Sequence, residues 1–145
     1  SRRQHVCELI EPALESGKPV ISDRYAASSC AYQGAGRGLG AQAVATVNDL
    51  ATAGRWPDLT ICLDLPVSEA DRRRRHRGAV DDRIEAAGAA FQERVRSAYL
   101  ALAERDRDQW LVLDAVPAVD EVAAQIEVEI GVRYPEFPFR VTELV

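Results

Sequence analysis

Three stretches of this chain carry residue types that could do chemistry. The first is Asp23-Arg24-Tyr25, which directly follows the apolar run Pro19-Val20-Ile21-Ser22. An arginine at the carboxyl end of a strand presents a fork of N–H donors matched to phosphate oxygens. A neighbouring aspartate can hold that fork or reach a metal-bound water. The second is Arg72-Arg73-Arg74-Arg75-His76-Arg77. From Arg72 to Arg83 there are six arginines and two aspartates, a net charge of +4 within a chain of net charge −5. In isolation such a run reads as a solvated helix face or a basic patch for nucleic acid. It is short and single, however, and it ends in Gly78-Ala79-Val80 before Asp81-Asp82-Arg83-Ile84-Glu85 opens another helical pattern. A flexible, arginine-rich loop above a phosphate site is the build of a phosphoryl-transfer lid. The third is Gly34-Ala35-Gly36-Arg37-Gly38-Leu39-Gly40-Ala41. Gly36, Gly38 and Ala41 fit G-x-G-x-x-A, but that fingerprint belongs in the turn directly after a strand, and residues 24–35 intervene. A flexible turn within a helical segment is the better reading.

These residues need elements to position them. Val6, Ile10, Ala13 and Leu14 recur at helical spacing over residues 2–16, with Pro12 predicting a kink or break and Gly17 a stop. Residues 19–23 read as a short strand ending in Asp23. Residues 28–53 are Ala-rich and helical, interrupted near Gly34–Gly40. Residues 59–64 and 110–114 read as two more strands, ending in Asp64 and Asp114. For these two aspartates, ending the strand and capping the next segment is explanation enough. Ser68 suits the N-cap of a helix running into the arginines. Phe91, Val95, Tyr99 and Leu102 form one stripe of a long helix over 83–108, and 117–130 is a last helix. Strands that are continuously apolar and separated by helices imply a parallel sheet covered on both faces. Ligands of such sheets bind beyond the carboxyl ends of the strands.

Composition agrees with a soluble enzyme domain. The chain has 145 residues, 47% hydrophobic and 28% charged, which excludes a disordered chain. The length allows roughly 68–70% of the unfolded chain's surface to be buried. No apolar stretch approaches the ~18 residues of a membrane span. A pI of about 5.1 argues against a general nucleic-acid binder. Lysine occurs once, at Lys18, so arginine carries nearly all the positive charge and each Arg is weaker functional evidence than usual. Cys7, Cys30 and Cys62 are dispersed, without a C-x-x-C, and read as small reduced residues rather than a disulfide or zinc site.

Taken together, the motifs resemble one family, the thymidylate kinases of bacterial type. The resemblance rests on Arg2-x-Gln4-His5-Val6, on Asp23-Arg24-Tyr25-x-x-Ser28-Ser29-x-Ala31-Tyr32-Gln33-Gly34, and on Gly36-Arg37-Gly38. It continues through Pro57-Asp58-Leu59-Thr60-x-x-Leu63-Asp64, Arg77-Gly78, Asp82-Arg83-Ile84-Glu85 and Phe91-x-x-Arg94-Val95-Arg96-x-x-Tyr99. These run in family order from Arg2 to about Ile130. The pairing of Asp-Arg-Tyr with Ala-Tyr-Gln-Gly sets this family apart from the deoxynucleoside kinases.

The resemblance implies a P-loop NTPase-like α/β fold, a parallel sheet flanked by helices, and a transfer of the ATP γ-phosphoryl to dTMP with Mg2+. It implies that Arg24 holds the dTMP phosphate, with Asp23 positioning it and helping to order the magnesium shell. Arg2 would reach the thymine edge, Ser29 and Gln33 would hydrogen-bond or line the base, and Tyr32 would pack beneath the sugar and exclude a 2′-hydroxyl. Arg37 is placed near the substrate. Arg77 resembles the lid arginine that acts on the transferring phosphoryl, with Arg73 and Arg75 at assisting spacing and Asp82 and Glu85 as lid-end acids. A cytoplasmic homodimer without nucleic-acid or membrane partners is the expected setting.

The sequence also departs from the family. It contains no G-x-x-x-x-G-K-[ST] and no methionine. The expectation drawn is a partial kinase domain over residues 1–130 whose N-terminal strands and P-loop are missing, followed by an irregular tail over 131–145. Alone, such a chain is expected to be marginally folded and inactive. The alternatives are a related deoxynucleotide or deoxynucleoside kinase, and a non-catalytic nucleotide-binding remnant.

Overall fold

The computed structural model describes residues 2–77 and 88–136, apart from the side chain of Arg77. The first helix runs from Arg2 to Glu15 in three contiguous pieces: α1 (Arg2–His5), a π-helical stretch π1 (Val6–Ile10) and α2 (Glu11–Glu15). Val6 and Ile10 are buried on the predicted face. At Pro12 the helix neither breaks nor ends. It widens just before the proline, with the Glu11 N–H bonded to the Val6 carbonyl five residues back. Pro12 thus falls in the first turn of α2, where its missing N–H costs little. Gly17, at φ +74°, closes the helix as expected: its N–H bonds Leu14 O at 2.9 Å, and the Lys18 N–H bonds Ala13 O at 3.0 Å.

Residues 19–23 do not form the predicted strand. A strand exists only through a neighbour that takes up its backbone donors and acceptors, and no described strand lies beside this one. Ile21 is accordingly 76% exposed, although its type suits a core. The chain turns through Asp23 and Arg24 into α3 (Ala26–Ser29), which continues as a second π-helical stretch, π2 (Cys30–Gly36). After the predicted interruption, α4 (Ala41–Thr52) packs back on α3 and π2.

Among the described residues the sheet has two strands instead of the three predicted: β1 (Thr60–Asp64) and β2 (Trp110–Asp114). They are parallel and in the predicted positions, with Thr60 opposite Trp110 and Asp64 opposite Asp114. Between them run α5 (Val67–Arg77) and α6 (Ala89–Arg105). Helix α5 starts at Val67, one residue ahead of the predicted cap Ser68, with the Pro66 carbonyl accepting from the N–H groups of Glu69 and Ala70. The final helix, α7 (Val119–Arg133), packs on β2 and extends three residues into the stretch read as an irregular tail.

Helix α6 organises the core. Its Phe91 and Val95 are buried with Ala31 of π2, and Tyr32, Ala98 and Tyr99 pack around them. The close approach of π2 depends on Gly36, where an added Cβ would sit 2.7 Å from Phe91 Cε2 and 3.0 Å from Val95 Cγ2. Among the described residues, no helix is long and apolar enough to cross a membrane.

Candidate functional site

A cleft of about 370 Å³ opens between π2, the carboxyl end of β1, α5 and α6. This lies at the low end of small-molecule sites, ~300–1,000 Å³. Its walls carry Arg24, Arg74 and Arg96 together with Asp64 and Asp71, alongside Tyr32, Cys62 and Tyr99. Three arginines against two aspartates make it locally cationic in an acidic chain, which favours an anionic occupant.

Arg24 reaches the cleft from a strained turn. Its backbone φ is +65°, in the left-handed region that favours glycine. The Ser22 hydroxyl donates to the Arg24 carbonyl at 2.9 Å and supports that conformation. The guanidinium lies over the Tyr32 ring, 5.2 Å from its centroid. Asp23 stands exposed in the same turn.

Arg2, at the start of α1, donates to Asn48 Oδ1 of α4 and to Ser29 Oγ at 3.0 Å, and lies 5.8 Å from the Tyr25 ring centroid. Asn48 is 2% exposed and is fixed in turn by donating to Ala26 O at 3.2 Å. Two of the five guanidinium N–H groups are thereby spent on orientation. Gln33 is half-buried in π2, and its carbonyl accepts from the Leu39 N–H at 3.2 Å. Arg37 is exposed just after π2.

The predicted lid residues are only partly gathered here. Arg73 binds Glu69 at 2.8 Å and donates to Val116 O at 2.6 Å, so it ties α5 to the turn after β2 instead of lining the cleft. Glu69, held by Arg72 and Arg73, has its carboxyl drawn down to about 2. Arg75 is exposed on α5, and Arg77 is the last residue of that helix. Asp82 and Glu85 lie outside the described residues. Among the described side chains of the arginine run, Arg74 lines the cleft, and it binds Asp71 at 3.0 Å.

Sequence reasoning passed over the partner of Asp64. Arg96 of α6 grips this carboxylate with both arms, Nε at 2.6 Å and Nη2 at 2.8 Å. The Arg96 hydrogen bond holds the Asp64 carboxyl below the usual carboxylate range. Burial pushes the neighbouring Cys62 thiol up, as it does the Tyr99 hydroxyl. The available signal was the spacing Gln92, Arg96 and Tyr99, which places all three on one helical face. Asn48 had a comparable signal, as a polar residue on the inward side of an Ala-rich helix.

Among the described residues no group of three or more His, Cys, Asp or Glu is placed to hold a metal ion. With Asp64 occupied by Arg96, the acidic side chains here do not form a cage. A divalent cation at such a site would have to be carried mainly by substrate phosphates and water; Asp23, the expected carboxylate, is exposed in the turn before α3 and does not line the cleft.

The sequence profile described as thymidylate kinase matches residues 1–126. A thymidylate kinase of Lactobacillus acidophilus is 40% identical over 137 residues, covering 94% of this chain and 63% of its own length. One from Bdellovibrio bacteriovorus is 46% identical over 119 residues, covering 79% and 56%. One from Synechococcus is 53% identical over 90 residues, covering 62% and 42%. The chain spans about three-fifths of the length of the first two of these relatives.

Proposed function

The chain belongs to the thymidylate kinase family, and from that membership we propose that it forms the acceptor side of a dTMP kinase with a P-loop NTPase fold. The reaction is transfer of the ATP γ-phosphoryl to dTMP, giving dTDP. The observation that carries this reading is Arg24, aimed from its turn into a cationic cleft with its guanidinium resting on Tyr32.

Each residue then has a physical task. Arg24 binds the dTMP phosphate through paired N–H groups, and its charge offsets that of the incoming phosphoryl group. Tyr32 offers a flat apolar surface to the sugar and leaves no room for a 2′-hydroxyl. Arg2, oriented by Asn48 and Ser29, presents its remaining donors to the thymine carbonyl edge, with Gln33 nearby in π2. Arg77, with Arg75 assisting, is the lid arginine proposed for the transferring phosphoryl. Phosphoryl transfer depends on positioning and charge stabilisation more than on covalent chemistry. The acceptor phosphate is already anionic, so no strong general base is required. Mg2+, when bound with ATP, would supply charge neutralisation, and Asp23 is the side chain proposed to meet its water shell.

Titration of the 145-residue chain with dTMP, dCMP, dAMP and thymidine tests the reading. We expect dTMP to bind tightest, and Arg24→Ala to weaken dTMP by about tenfold or more while leaving thymidine unchanged. Equal affinity across the panel, or a dTMP affinity indifferent to Arg24→Ala, would refute it.

A further inference from the structure

We propose that Tyr99 is a positioning residue for the phosphate-binding arginine: tethered to Ser28, it fixes the Tyr32 ring on which the Arg24 guanidinium rests. The inference rests on the reading of Arg24 as the phosphate ligand and deepens it.

The geometry forms one connected chain of contacts. The Tyr99 hydroxyl donates to Ser28 Oγ at 2.7 Å, linking α6 to α3 across 71 positions of sequence. The Ser28 N–H in turn bonds the Tyr25 carbonyl at 3.1 Å, so the tether ends on the turn that carries Arg24. The Tyr99 ring meets Tyr32 edge-on, with centroids 6.4 Å apart and planes at 79°. Phe91 holds another side of Tyr32 at 6.1 Å, and Trp110 of β2 backs Tyr99 at 6.5 Å. Tyr32 is therefore clamped between two rings of α6, and Arg24 lies 5.2 Å from its centroid.

An arginine at a solvated rim would otherwise sample many rotamers. Resting the guanidinium on a clamped ring orders it before any ligand arrives. Tyr99 is suited to the task because burial pushes its hydroxyl up, and it remains a protonated donor across the neutral range. Tyr99 acts through Tyr32 on Arg24, so its loss is expected to weaken a ligand that carries a phosphate more than one that offers Tyr32 only a sugar.

The test uses the full 145-residue chain and two variants that each remove one hydroxyl, Tyr99→Phe and Ser28→Ala. In the ligand-free protein, the Arg24 Nε–H resonance is displaced by the Tyr32 ring current, and Tyr32→Leu sets its uncontacted position. Both hydroxyl variants are expected to move the resonance part of the way toward that position, with the far-ultraviolet circular dichroism spectrum unchanged. A resonance that stays put in both variants would overturn the proposal. In binding titrations, Tyr99→Phe is expected to lower the ratio of dTMP to thymidine affinity about fivefold, the worth of one hydrogen bond. A parallel fall in both affinities would mark a merely structural role and equally overturn it. A wild-type chain that does not prefer dTMP over thymidine would instead refute the kinase reading, and the ring-current measurement would still decide the positioning role.

Discussion

The bidentate contact between Arg96 and Asp64 shows how a single ion pair fixes one wall of the cleft. It joins the last residue of β1 to the middle of α6. Both side chains are about two-thirds to three-quarters withdrawn from solvent, and Arg96 is less exposed than the arginine of the Arg72–Glu69 pair on α5. The Asp64 carboxyl is lowered in the folded chain relative to its unfolded value of about 3.9. The stabilisation is therefore present above about pH 4 and is lost as the pH falls through the folded value. We expect Asp64→Asn to cost on the order of 1 kcal/mol at pH 7 and to lose part of the acid dependence, read from urea midpoints between pH 7 and pH 3. At this scale the sequence disclosed Asp23, Arg24, Tyr32 and the arginine run, because each sits in a contiguous motif. It did not disclose Arg96 or Asn48, whose partners lie 32 and 46 positions away and are brought near only by packing. Nor did it choose Arg74 over Arg73, since four successive arginines leave helical phase undetermined.

Elements were legible wherever one segment's own pattern decides its structure. The apolar stripe of α6, the helix with Val6 and Ile10, and both β-strands stand where periodicity put them. Residues 19–23 are the exception, and the reason is physical: their composition suits a strand, but a strand is a property of two segments. Substitutions separate the cases. Leu111, on β2, is 7% exposed, and Leu111→Ala is expected to cost about 2–5 kcal/mol. Ile21→Thr, at a position 76% exposed, is expected to fall within about 0.5 kcal/mol of the parent. Urea unfolding of the two variants checks both values. A comparable loss at Ile21 would mean that residues 19–23 pair in solution. At Pro12 the sequence identified an irregularity, but the response is a widened stretch just before it, π1, whose first and last residues Val6 and Ile10 are buried.

Over the whole molecule, the accessible surface is 10008 Å², against roughly 7,300 Å² for a compact monomer of this mass. Part of the excess is apolar: Leu9 of π1 and Val47 and Leu50 of α4 stand more than half exposed. They form an apolar surface that a second copy of the chain would cover in the homodimer that the family resemblance implies. We expect the sedimentation coefficient of the chain to rise with concentration in the micromolar range, and Leu50→Lys to suppress that rise. A single concentration-independent species would count against self-association. Net charge, length and the absence of a membrane-spanning pattern were all readable in advance, but the exposed area was not, because it depends on which faces find cover. The parallel register of β1 and β2 also governs the order of assembly. Their hydrogen bonds can form only after residues 65–109 have closed a long loop, whereas α3, π2 and α4 meet through near neighbours. By loop-closure entropy the turn bearing Arg24 is expected to form early and the wall of the cleft at Asp64 late. Binding competence is reached only when this slower, long-range closure is complete.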